Sequence, residues 1–296
     1  MSAVDIAAVE LDGPQRWSPT LGTRMGRSWR RLGWIDRVAL ISLVGVTLLA
    51  VFGPMFAGYD PLKRAGAAFQ PPGSDGFLLG TDESGRDLLS RMLFGLRSTW
   101  LSTVVLILIT AVFGAILGTI AGTVGGWVDT ALMAFTDLMM ALPGPLLAIA
   151  IVAAMGRSLT NTLIAIGIVW WPWYARIVRN EVKAIATRPH LEAARLAGAG
   201  TWRLGLRHLL PGAVAPLVST ATLDVGTLVV TLTALSFLGL GAPPPSPELG
   251  TVIAAGTPYL LEYWWLPIVP GLAVTMLALV ANLTGDAVTT MIGEER

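Results

Sequence analysis

The chain contains no cysteine, so disulfides, thiolate metal sites and cysteine nucleophiles are all excluded. It has two histidines, His190 and His208, too few for a histidine metal cluster, and no metal site is expected. Charge is scarce as well. Only 13% of the 296 residues are Asp, Glu, Lys or Arg, against roughly 25% in a soluble domain. There is too little polar surface here to coat a water-soluble globule. The net charge of +1 gives no reason to expect a nucleic-acid partner. The only lysines, Lys63 and Lys183, follow Leu62 and Val182, so no Gly-Lys-Ser/Thr phosphate loop exists and the chain binds no ATP of its own. His-Glu-x-x-His is absent too, as is a Gly-x-Ser nucleophile paired with a histidine inside an apolar run. The Gly-x-Gly-Asp signature of an intramembrane aspartyl protease fails at Leu283, which precedes Thr284, Gly285 and Asp286.

What the chain has is apolar length: 54% hydrophobic residues and a mean hydropathy of +0.67. A helix crossing about 30 Å of hydrocarbon needs roughly 20 apolar residues. Six such runs are expected, at 38–57, 98–128, 130–156, 158–175, 212–241 and 263–285. The fold class is therefore all-α, a polytopic membrane domain at 38–286 between tails at 1–37 and 287–296. No cleavable leader is legible in the arginine-bearing first thirty residues, so the first run is expected to stay as an anchor in the lipid. With the N-terminus inside, fourteen of the twenty Lys and Arg fall on the cytoplasmic side, which places both termini in the cytoplasm. An odd number of spans would break that pattern.

Three stretches break the apolar pattern. Between the first two runs lies an outer segment with Gly80, Thr81, Asp82, Gly85, Arg86 and Asp87, after which 87–96 has the spacing of an amphipathic helix lying at the membrane interface. The last outer loop, 242–247, holds four prolines and reads as stiff and extended. The third stretch, 189–211, is cytoplasmic. Pro189 suits a first helical turn, the helix formers up to Ala197 continue it, and Gly198 and Gly200 stop it. Ala193, Ala194 and Ala197 expose little side chain, so another protein's surface can approach the helix closely. Pro211 is expected to end the segment and open the next span.

Charges inside the runs are costly and normally face protein or a water-filled path. Asp224, near the middle of the fifth run, is a candidate to line such a path or to act as a buried hydrogen-bonding group. Asp137 is a candidate for the same path or for pairing with an arginine near the cytoplasmic side. Pro143 and Pro145 flank Gly144 and should kink the third run, either as a hinge or as a static bend.

Glu192, Ala193, Ala194, Gly198, Leu210 and Pro211 fall in the spacing of the EAA loop, and the chain thereby resembles the permeases of bacterial ATP-binding-cassette importers. Arg207-His208 before Leu209-Leu210-Pro211 is similar to the dipeptide, oligopeptide and nickel branch, as are 79–97, 174–179 and 234–241. The resemblance is to the second, shorter permease of the pair. Leu249 departs from it where the branch usually has Trp, and 287–296 lacks the usual charged tail motif.

The resemblance implies a type I importer permease fold in a bacterial inner membrane. Its expected partners are a homologous permease forming a heterodimer, two ATPase subunits, separate or fused, and an extracytoplasmic solute-binding protein. ATP and Mg would bind to the ATPases alone. Short peptides are the implied cargo, with nickel or other metal chelates as the alternative. Glu192, Ala193, Ala194, Gly198, His208, Leu210 and Pro211 are then the ATPase-coupling residues, and the permease itself is no enzyme. An ion-coupled secondary transporter remains the rival; uptake driven by an ion gradient without an ATPase would favour it.

Overall fold

The structure, a computed structural model, describes residues 33–189, 191, 198 and 200–293. Among these there is no strand beyond two isolated bridges, and helices carry the architecture. In chain order they are α1 (Trp34–Phe52), α2 (Leu88–Val124), α3 (Gly126–Ala141), α4 (Gly144–Met155) and α5 (Leu159–Ala186). There follow α6 (Thr201–Leu204), α7 (Leu210–Phe237), α8 (Leu249–Gly256) and α9 (Trp265–Gly293). Four described helical stretches are long and apolar enough to cross a membrane: Trp34–Phe56, Leu88–Val124, Thr201–Phe237 and Trp265–Ile292. A fifth arises if α3 and α4 count as one broken span.

The break between α3 and α4 is a bend of 89°. Pro143 has no N–H to offer the Met139 carbonyl four residues back, so the α-helical ladder cannot pass it. The chain turns extended at Leu142 and Pro143 before Gly144 restarts the helix. The proline pair thus makes an elbow, sharper than the kink expected from the sequence.

Three other expectations need correction. The segment 87–96 is not a separate interfacial helix. Asp87 caps α2, its carboxylate accepting the Ser90 N–H at 2.8 Å and the Ser90 hydroxyl at 2.6 Å, and the helix runs unbroken for 37 residues. Arg91 within it is buried in an ionic cluster. Second, Pro211 stands in the first turn of α7 as expected, but it does not interrupt the helix that leads into it. The helix begins at Thr201, widens through a π-helical turn at Gly205–Leu209, and continues into α7. In that turn the Leu210 N–H reaches Gly205 O, five residues back, and this wider spacing accommodates the proline ring within the first turn of α7. Third, the loop 242–247 is turned, with the Ser246 N–H on Pro243 O, because Arg91 gathers the Pro245 and Ser246 carbonyls, each at 3.3 Å.

The most extensive packing joins α2 to α5. Gly114, Gly118 and Gly122 recur every fourth residue and so share one face of α2. A Cβ at Gly118 would sit 2.4 Å from Ala175 O, and one at Gly114 would sit 2.6 Å from the Tyr174 Cβ. The two backbones are therefore in direct contact, as small residues permit in membranes. Around this seam one apolar core runs from Leu106 and Ile166 through Tyr174, Val178 and Val182 to Ile185, Leu191, Leu204 and Leu209. A second core joins α1, α2, α7, α8 and α9 through Ala50, Trp100, Val229, Leu249 and Leu277. Two polar ties fix α1 there: Trp100 Nε1 donates to Thr47 Oγ1 at 3.2 Å, and Thr284 Oγ1 donates to Ala39 O at 3.1 Å.

Candidate functional site: coupling root, elbow groove and outer clamp

Glu192, Ala193 and Ala194 lie outside the described residues, but the segment they belong to is held at both ends. Leu191 on the entry side and Leu204 and Leu209 on the exit side are buried in the same apolar core as Ile185 and Ala213. Gly205 packs on Thr123 at the end of α2, and Gly212 lies against the Ile185 side chain of α5. Gly198 is exposed, with φ +82 and open space around it, a backbone angle that favours glycine. Arg207 and His208 are exposed on the π-helical turn, and Leu210 and Pro211 form the first turn of α7. The root is rigid and apolar, and its exposed side chains face outward.

On the flank of this body, α3 meets α5 through charge. Asp129, nearly buried, accepts from Arg179 Nε and Nη2, both at 2.8 Å, and pairs with Lys183. Two turns further along α3, Asp137 pairs with Arg176. Asp137 and its partner remain largely in contact with solvent space, and Asp137 does not line the groove described next.

Asp224 does. A groove of about 240 Å³ is formed by Met139, Met140, Leu142 and Gly144 of the elbow, Val169, Trp170 and Trp173 of α5, and Asp224 of α7. Asp224 stands beside Tyr174 and Trp170, and its Oδ2 is buried without a hydrogen bond among the described residues. The structure thus separates the two in-span aspartates: Asp137 is neutralised by an arginine and Asp224 faces open space. Reading the sequence alone did not single out Trp170, Trp173 and the two methionines as partners of Asp224. Their convergence depends on the elbow angle, which residue order does not disclose.

The outer residues Gly80, Thr81, Asp82, Gly85, Arg86 and Asp87 come together as one clamp, and all six are buried. Thr81 Oγ1 donates to Ala67 O at 2.7 Å and accepts from the Gln70 N–H at 2.9 Å. Asp82 takes the Arg86 N–H and Nε at 2.9 and 2.7 Å, while Arg86 also reaches Glu83 at 2.8 Å. Arg91 adds its Nε to Asp82 at 3.4 Å and its Nη atoms to Pro61, Pro245 and Ser246 carbonyls. Gly80 leaves no room for a Cβ, which would meet Gln70 O at 2.2 Å. This clamp binds the outer segment, the start of α2 and the 242–247 loop into one unit. Beside it, the carboxyl of Glu248 is buried and accepts from the Ser236 hydroxyl at 2.5 Å and the Ala242 N–H at 3.1 Å. Burial holds that carboxyl above the ordinary glutamate range, against the pull of the two hydrogen bonds.

Residues 114–294 match the family described as "Binding-protein-dependent transport system inner membrane component". The chain is similar to the di/tripeptide transport system permease protein DppC of Pseudomonas aeruginosa (strain UCBPP-PA14), 41% identical over 253 residues, 83% of this chain and 84% of the relative. It is also similar to the dipeptide transport system permease protein DppC of Escherichia coli (strain K12), 39% identical over 255 residues, 84% and 85% of the two chains. Among solved structures, the inward-facing MetNI methionine ABC transporter in its CY5 native crystal form shares the fold at TM-score 0.52 and 21% identity, over 68% of this chain and 97% of that one. An amino acid ABC transporter with histidines does so at TM-score 0.52 and 15% identity, over 70% and 94%. A family match across more than half the chain, on a multi-helix membrane fold with these relatives, makes this protein a member of the binding-protein-dependent transport system inner membrane components.

Proposed function

We propose that the chain is one of two homologous permease subunits in an ATP-driven importer of short peptides. Two ATPase subunits bind ATP and Mg on its cytoplasmic side, and an extracytoplasmic solute-binding protein delivers cargo from outside. The peptide cargo is supported by the names of the relatives, which are di- and tripeptide permeases. With α5 counted as a span the domain 38–286 has six, and the distribution of Lys and Arg favours cytoplasmic termini at 1–37 and 287–296.

One observation carries the mechanism: both ends of the coupling segment 189–211 are rooted in the same apolar core as α2, α5 and α7. An ATPase that grips Glu192, Ala193, Ala194 and Gly198 therefore moves packed helices rather than a loose loop. Packed cores switch between discrete arrangements instead of deforming smoothly, so the pull selects one opening of the cavity between permeases over the other. Asp224 lies on the wall of that cavity. Asp137, tied to Arg176, stands at its rim and holds the elbow to α5. Lipid covers the remaining apolar faces.

The test is Gly198→Asp in the reconstituted complex. An aspartate at φ +82 is strained by roughly 1–2 kcal/mol and adds a charge where the ATPase seats. Cargo-stimulated ATP hydrolysis and uptake should fall about tenfold or more while the permease pair still assembles. Normal coupling in that variant would refute the lever assignment.

A further inference from the structure

We propose that the elbow groove is a recognition site for a protonated amine, and that Asp224 receives the free amino terminus of the passing peptide. The inference rests on the reading of this groove as part of the translocation path and goes on to specify which chemical end of the cargo it takes.

Three independent features of the groove favour a cation. The first is Asp224, the only acidic or basic residue among those lining the groove; its Oδ2 is buried without a well-formed hydrogen bond to a described residue, and the polar groups beside its carboxyl, on Tyr174 and Trp170, are neutral donors. A mobile ammonium would add to those neutral donors the positive charge that they lack. The second is aromatic: Trp170 and Trp173 line the same space, and an ammonium within about 6 Å of an indole face is attracted by the ring quadrupole. The third is the elbow itself. The last turn of α3 ends at Ala141, and Pro143 has no N–H for the Met139 carbonyl, so the negative end of that helix dipole lies at the groove beside Met139 and Met140. Broken helices that turn carbonyl ends toward a midplane site are a recognised way to hold a cation in a membrane.

The positive groups close in sequence do not oppose this. Arg176, one turn beyond Trp173 on α5, is engaged by Asp137, and Arg179 and Lys183 are engaged by Asp129. A volume of about 240 Å³ is below the ~300–1,000 Å³ of sites that enclose a whole small molecule, so the groove suits one end of a peptide. Methionine is unbranched and polarizable, so Met139 and Met140 can adapt to different first side chains. The groove would therefore be strict about the ammonium and permissive about the residue that bears it.

The absence of cysteine makes the test direct. Met140→Cys places a single thiol in this chain on the groove wall, and its maleimide labelling rate is read in the complete transporter in lipid nanodiscs. Dialanine should slow labelling and N-acetyl-dialanine should not. In an added Asp224→Asn background the dialanine concentration needed for protection should rise about tenfold, and Asp224→Glu should restore part of it. Equal protection by the two peptides, or protection that survives Asp224→Asn unchanged, overturns amine recognition while leaving the groove on the path. Protection by neither peptide overturns both readings. If Met140→Cys prevents assembly, Leu142→Cys on the same elbow carries the same comparison, with the same outcomes deciding it.

Discussion

Gly118→Ala should loosen the central helix pair even though alanine is the better helix former. The new Cβ would lie 2.4 Å from Ala175 O and 3.0 Å from the Arg179 N. An ordinary carbon–oxygen contact is about 1 Å longer, and both atoms belong to the backbone, so neither can rotate away. The helices must separate, yet the seam is equally tight at Gly114 and Gly122, where an added Cβ would also meet α5 at 2.6 Å, so separation at one point opens the whole stripe. Overpacking of this kind costs about 1–3 kcal/mol. Replacing a helical glycine by alanine returns roughly 0.5–1 kcal/mol. The net loss is about 1 kcal/mol at mid-range and at most about 2.5 kcal/mol, so a factor of about 5 or more in the folded population is expected. The matched control is Gly271→Ala in α9, where the added Cβ meets nothing within 4 Å and only the gain should remain. Both variants are compared by the temperature at which the detergent-solubilised protein loses its monodisperse chromatographic peak. The transition should fall for Gly118→Ala and hold or rise for Gly271→Ala. A shift of the same sign and size in both would refute the close-contact argument.

Two further outcomes concern the outer unit. Arg91→Lys keeps the charge but cannot reach Asp82 and the carbonyls of Pro61, Pro245 and Ser246 together, so it should cost about 2–4 kcal/mol and expose the 242–247 loop to limited proteolysis; an unchanged digestion pattern would refute the clamp. The folded state holds the Glu248 proton more tightly than the unfolded chain does. Its contribution to stability is therefore fullest below the ordinary glutamate range and is lost as pH rises toward the raised folded value. Thermal stability measured across that window should decline with pH in the native protein and be flatter in Glu248→Gln; identical slopes would refute the assignment.

The parts of the fold legible in sequence were those set by local chemistry. Uniform apolar length announced the all-α membrane class, and Pro143 and Pro145 announced a break, because a missing N–H acts at its own position whatever surrounds it. The errors came where distant residues supply the compensation. Arg91 marks a membrane boundary only if its charge stays solvated. Here Asp82 and three carbonyls from distant loops neutralise it, so α2 begins ten residues before the expected apolar run. The expected fourth apolar run stops at 175, whereas α5 continues to Ala186 with Arg176, Arg179 and Lys183 paired to aspartates on α3. The eight residues of α8 fell between a proline loop and an aromatic turn and gave too short a period to read. For the candidate site, Asp224 stood out by its charge in an apolar run, but the groove's other wall is made by an 89° bend.

The two walls of that groove are held by different forces, and this bears on where movement can occur. α5 and α7 share the large apolar core that also holds the ends of the proposed coupling segment, through Tyr174, Val178, Ile185, Leu209, Leu217 and Leu228. Beyond the bend, α4 joins it through Ala148 and Val152, but α3 contributes no residue to it; the buried positions of α3 are Asp129 and Thr136. What joins α3 to α5 is chiefly the Asp129–Arg179–Lys183 cluster, the Asp137–Arg176 pair and the 6.0 Å stacking of Phe135 on Trp171. Parting an apolar seam exposes surface at about 25 cal/mol per Å² wherever water enters, whereas ion pairs at a partly hydrated flank contribute little and can exchange partners. A displacement of the segment between Leu191 and Leu204 is therefore expected to pass to α5 and α7, which carry Trp170 and Asp224, while α3, outside that core, can lag behind them. If an ATPase drives that displacement, as proposed above, the width of the groove beside Asp224 changes with it.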